Sequence, residues 1–214
     1  MLLYENLQFC TLHLLFSQPI KMQPFEKVLH SINPIVSLNK DEITTLCSVL
    51  SLLPLKRDEY LLAEGQVCDF IGFVNTGVLI YFKTKESGDE VTTDFAFEGD
   101  WVNVNLSRLA NVPSTLSIRA IEECEVVMLK QKDLNDLYQR IPKLERLGRI
   151  LTEQAYINIV DQTVELQIHS AKERYENLLK RHPKLLQKVP LYHIANYLGI
   201  APKSLSRIRK ELFE

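Results

Sequence analysis

Near the C-terminus Lys203, Arg207 and Lys210 stand four and three residues apart, with Ser204 and Arg209 among them. On a helix this spacing puts the three cations on one face and Leu205, Ile208 and Leu212 on the opposite one. A cationic face with an apolar back is chemistry for a polyanion. Residues at the start of such a helix, here Lys203, Ser204 and Arg207, are placed for base edges in a DNA groove, and Arg209 and Lys210 for backbone phosphates. Catalytic or metal chemistry has no comparable support. Cys10, Cys47, Cys68 and Cys124 are far apart and lack C-x-x-C spacing. None of the five histidines (His13, His30, His169, His182, His193) lies in 55–129. The sequence therefore predicts no metal, no cofactor and no enzyme, because it has no His/Cys/Asp cluster, phosphate-cradling glycine loop or nucleophile motif.

A basic face alone is compatible with a solvated surface helix, so the residues before it decide. Ile194, Leu198 and Ile200 are apolar like Leu205 and Ile208, Ala195 is small, and Gly199 follows it by four. Two short helices that cross steeply need a small residue for close approach and a glycine whose φ > 0 ends the first helix. Pro202 then takes the first position of the second helix, where a missing N–H costs nothing. Ala201 departs from the pattern, since Ser or Thr there would cap the helix for about 1 kcal/mol. The net charge of -2 and pI of about 6.2, averaged over the chain, argue against nucleic acid. From Lys172 to Glu214, however, 10 Lys and Arg face 4 Asp and Glu, a local +6, and the remaining residues hold 15 against 23, or -8. The cations are concentrated where these helices are.

The elements ahead of the motif change period twice. From 25 to 53 apolar residues recur at helical spacing, with Ser37 to Glu42 supplying a capping-type start for Ile43, Leu46, Val49 and Leu50. From 55 to 129 short β-rich runs (60–62, 70–74, 78–84, 91–97, 115–121, 125–129) alternate with turns such as Asn75-Thr76-Gly77 and Glu98-Gly99-Asp100. Many short strands at this spacing predict an antiparallel β jelly-roll barrel. The helical period returns at 132–140 and, past Pro142, runs from 143 to about 180. Ile150, Ile157 and Val164 recur every seven residues with Val160 between them, the seam of a helix that pairs with a copy of itself. Such a helix would be about 50 Å long, more than a small barrel can cover. His182-Pro183 ends it and opens a linker of roughly eight residues.

The predicted organisation is α+β: an N-terminal extension (1–24), a jelly-roll barrel with a helical lead-in (25–140), a long dimerisation helix (141–180) and a C-terminal helix-turn-helix (181–214). Glu5 stands where a signal peptide needs cations, and no stretch is suited to span a membrane, so a cytoplasmic location is expected. Met1 and Met22, which precedes Gln23-Pro24-Phe25, are both candidate starts.

Glu64-Gly65, Phe73 to Val78, Gly99-Asp100-Trp101, Arg119-Ala120 with Cys124-Glu125-Val126, and the pattern from Ile194 to Leu212 together resemble the Crp/Fnr family of bacterial transcription regulators. The resemblance covers almost all of 25–214. It implies a cyclic-nucleotide-binding-like barrel, a homodimer through the long helix, and a winged helix-turn-helix. Two recognition helices would then enter successive major grooves of a pseudo-palindromic operator. Double-stranded DNA and a second copy are the expected partners, RNA polymerase is a further candidate, and no membrane is involved.

Nucleotide-binding members of that family carry Gly-Glu-Leu soon after Gly-Asp, and later Arg-Ser/Thr-Ala, whose Arg pairs with the cyclic phosphate. Here the Gly-Glu pair falls on Asn103-Val104, and the Arg falls on Ser114, followed by Thr115. A buried phosphate without those groups loses its charge-assisted contacts, so cyclic AMP and cyclic GMP are not expected to bind. Arg108 is near enough in sequence to stand in. The oxygen-sensing branch groups its N-terminal cysteines closely, which this chain does not reproduce. A second reading keeps the scaffold and has Asn103, Asn105, Ser114 and Thr115 hold an unidentified small-molecule effector that controls DNA binding.

Overall fold

An unbroken apolar run such as Val78-Leu79-Ile80-Tyr81-Phe82 is stable as a strand only if both of its faces are covered. The structure, a computed structural model that describes residues 23–213, covers both. The strands are β1 (Ser51–Leu55), β2 (Tyr60–Leu62), β3 (Phe70–Thr76), β4 (Val78–Thr84), β5 (Glu90–Phe97), β6 (Trp101–Val102), β7 (Ser117–Ala120) and β8 (Cys124–Lys130). They pair antiparallel in two sheets of order β1-β8-β3-β6 and β2-β7-β4-β5. Helices α1 (Glu26–Ile32) and α2 (Lys40–Cys47) precede the barrel, and α3 (Asn105–Ala110) lies between β6 and β7. After it come α4 (Gln131–Arg140), α5 (Lys143–Ile168), α6 (Ala171–Arg181), α7 (Leu185–Lys188), α8 (Leu191–Tyr197) and α9 (Pro202–Phe213).

Strand alternation sends side chains into three cores. Val74, Leu79, Ile118 and Val126 fill the space between the sheets. Phe73, Val127 and Leu129, on the outer face of the first sheet, are covered by α1, α2, α4 and the start of α5. Val78, Ile80, Phe82 and Phe95, on the outer face of the second sheet, are covered by residues of α6 to α9. The β3–β4 turn depends on Gly77: its φ is +91°, and a Cβ there would collide with Cys124 Sγ and the Glu123 carbonyl.

Several boundaries differ from expectation. The helical lead-in ends at Cys47, after a start fixed by the reciprocal Asn39–Glu42 capping box. Residues 51–53 instead pair with 126–128 of β8, so cross-strand hydrogen bonding overrides their local helical spacing. The helix expected from 143 to about 180 breaks after Ile168. His169 is extended, and Ser170 caps a new helix through a capping box with Glu173. Helix α5 is therefore 26 residues, about 39 Å, rather than about 50 Å. Helix α6 packs by Tyr175 and Leu178 with the C-terminal helices. The expected linker contains α7, anchored by buried Leu185 and Val189. The two candidate starts, Cys10 and His13 fall in 1–22, outside the described residues. Among the described residues no helix is long and apolar enough to cross a membrane.

Candidate functional site

The C-terminal motif forms as its spacing predicts. Ile194, Ala195 and Leu198 of α8 are buried together with Leu205 and Ile208 of α9. Gly199 turns the chain at φ +68°, and the Ile200 N–H donates to the Ala195 carbonyl at 3.0 Å. Pro202 opens α9. Lys203, Arg207 and Lys210 are exposed, and Ser204 is half-buried at the helix start. Arg209 is half-buried and lies against the buried Tyr175, whose hydroxyl pKa burial raises and Arg209 lowers. Between Arg181 and Phe213 the described chain is helix and turn, so the winged form is not seen among the described residues.

The motif is docked on the barrel through contacts that its sequence did not signal. The Asn196 side chain accepts from the Thr92 N–H at 3.1 Å and donates to the Glu90 carbonyl at 2.5 Å, engaging the last strand of the second sheet. His193 Nδ1 lies 3.4 Å from Thr92 Oγ1. Tyr197 meets Phe95 with ring centroids 5.2 Å apart, and Lys188 bridges to Glu122 at 2.9 Å. Beside this contact Arg119 makes a two-pronged pair with Glu90, 2.7 Å for each hydrogen bond, and lies over the Phe82 ring. Burial and Arg119 both hold the His193 pKa below its usual value.

A second feature is a cavity of about 840 Å³ between the barrel and α5. Tyr81, Asp94, Asp100 and Trp101 line it from the sheets, Asn103, Asn105 and Arg108 from the β6–α3 segment, and Asn158 and Gln162 from α5. Of the four effector residues expected from sequence, Asn103 and Asn105 are there. Ser114 and Thr115 are not. The Ser114 hydroxyl is buried against its own turn, donating to the Leu116 carbonyl at 2.7 Å, and Thr115 is exposed. Tyr81 fixes Asn103 by accepting its N–H at 3.2 Å. Asp94 has the inward phase of Ala96 on β5, and a carboxylate at an inward position was the available signal for it. Arg108 lines the cavity, but its guanidinium already donates to Gln131 at 2.7 Å and Asn105 at 3.0 Å.

On α5 the cavity side carries Leu151, Ala155, Asn158, Gln162 and Glu165. The expected seam lies elsewhere on the helix: Ile150 is half-buried, and Ile157, Val160 and Val164 are 49%, 40% and 46% exposed. Tyr156, Leu166 and Ile168 are also exposed.

Residues 52–141 match the family model described as Cyclic nucleotide-binding domain. The chain is 26% identical over 213 residues to the transcriptional activator protein Anr of Pseudomonas protegens, a match covering 90% of this chain and 85% of that protein. Its fold is similar to that of FixK2 from Bradyrhizobium japonicum, with TM-score 0.67 and 19% identity over 77% of this chain and 84% of the other. The catabolite activator protein of Thermus thermophilus is a further neighbour, at TM-score 0.50 and 20% identity over 82% and 84%. A nucleotide-binding type of barrel joined through a long helix to a helix-turn-helix defines a transcription regulator. Over most of its length the chain is similar to regulators of the Crp/Fnr family.

Proposed function

We propose that the chain acts in the cytoplasm as a non-catalytic homodimer that places two α9 helices in successive major grooves of a pseudo-palindromic operator, without cyclic AMP. The observation that carries this reading is α9 itself. Leu205 and Ile208 hold it in the core while Lys203 and Arg207 stay exposed on the opposite side, as a groove-reading helix requires. Ser204 stands beside them, and Arg209 and Lys210 serve phosphate. Independence from cyclic AMP is supported by Asn103, Val104 and Ser114 at the positions of the family's ribose and phosphate contacts. Dimerisation is supported by the exposed Ile157, Val160 and Val164. RNA polymerase is the natural further partner of such a regulator. An anisotropy titration against DNA from upstream of its own reading frame tests the proposal: affinity falls steeply with salt as counterions are released. Arg207→Ala weakens specific binding by about 1–3 kcal/mol. Binding that ignores both salt and Arg207 would remove the groove-reading model.

A second reading, in which the barrel senses a small molecule that controls DNA binding, is favoured by the cavity. It reaches Arg181 and His182, directly before α7 and α8.

A further inference from the structure

The cavity beside α5 is lined by charged groups of both signs that the protein leaves unneutralised. Asp94 and Asp100 each accept a backbone N–H, from Phe95 at 2.9 Å and Phe97 at 2.8 Å. Among the described residues neither forms a salt bridge. The nearby cation, Arg181, is already paired with Glu165 at 2.8 Å. His182 stacks on Phe97, and burial lowers its pKa, which favours the neutral ring near pH 7. On the cationic side of the lining, Arg108 donates to the neutral oxygens of Gln131 and Asn105, and its Nε is buried without a partner. Asn103 Oδ1 is likewise buried without a partner. Uncompensated charges and orphaned polar atoms are expensive inside a protein, and a ligand of complementary charge removes that cost. The volume of about 840 Å³ suits a small molecule, and Tyr81, Phe95, Trp101 and Tyr138 offer an apolar wall for its body.

We propose that this cavity binds a small ampholyte of the amino-acid class, its ammonium group facing Asp94 and Asp100 and its carboxylate facing Arg108. A cyclic nucleotide has a single anionic group and brings no cation for the two aspartates. The proposal rests on the sensor reading and names the chemistry of its ligand. It deals with ligand binding alone, which is measured on the full chain without DNA, so it stands or falls separately from operator recognition.

Calorimetry near neutral pH with L-lysine, L-arginine, L-tryptophan and L-tyrosine as probes tests it, alongside 1,4-diaminobutane, succinate and cyclic AMP. At least one amino acid binds saturably, and the cation-only, anion-only and nucleotide probes bind at least about tenfold more weakly. Asp94→Asn and Arg108→Gln each weaken the amino acid by about tenfold or more while the folded circular-dichroism spectrum is kept. Ala155→Phe, which fills the cavity from α5 without touching a charge, abolishes binding and guards against a misfolding explanation. Failure of all four amino acids to bind overturns the proposal, as does equal binding of the diamine or of cyclic AMP. Full affinity in a folded Asp94→Asn protein overturns it as well.

Discussion

Asp94 has a cost that can be measured. Burial pushes its pKa up to about 6, Asp100 adds to the rise, and the Phe95 N–H and Arg181 oppose it. A carboxyl that holds its proton more tightly folded than unfolded lowers stability as pH rises from about 4 to about 6, and the deficit persists above that. Asp94→Asn is therefore expected to stabilise the protein at pH 7 by about 1–2 kcal/mol, a figure reduced because the carboxyl faces the open cavity, and to flatten that slope. Urea unfolding on either side of the window checks this; a variant less stable at every pH would contradict it. Asp94 also marks where sequence reading stops. Lys203 and Arg207 were legible because helical period alone sets their face. Asn196 was not, because its role lies in a hydrogen bond to a residue 104 positions away.

At the scale of elements, α5 is the unfinished one. A helix with apolar side chains around much of its circumference is normally covered, yet Ile157, Ile159, Val160, Val164, Leu166 and Ile168 are all exposed in the single chain. The double variant Ile157→Asp, Val164→Asp is expected to sediment at the 24.7 kDa of one chain, and the unaltered protein at twice that. Dimers that survive both charges would place the interface elsewhere. The seven-residue repeat made this apolar stripe readable, but the end of the helix was lost in the same pattern, because apolar spacing continues through Ala171. The stop is written instead in Ser170-Ala171-Lys172-Glu173, a capping box inside an apparently continuous helix. Six of the barrel strands were legible from turns and β-rich runs, and the two-residue β6 was not. Strand β1 was not either, because its five residues gain their conformation from β8, 69 to 77 positions later.

Over the whole molecule, the barrel and the DNA-reading helices share one core, which joins Ile80 and Phe95 to Ile194 and Leu205. Asn196 is the polar part of that joint. Asn196→Ala leaves the Thr92 N–H and Glu90 carbonyl without their partner, an expected loss of about 1–3 kcal/mol. Hydrogen exchange at the Thr92 amide is expected to speed up in this variant; unchanged protection would show that the apolar contacts alone hold the units together. The same two backbone groups have a further significance. Strand β5 ends its sheet, and the Asn196 amide engages it much as a neighbouring strand would. An uncovered sheet edge is a template for another chain. The helix-turn-helix thus covers part of this edge, and a movement that parted it from the barrel would leave the Thr92 N–H and Glu90 carbonyl open to pairing with another chain.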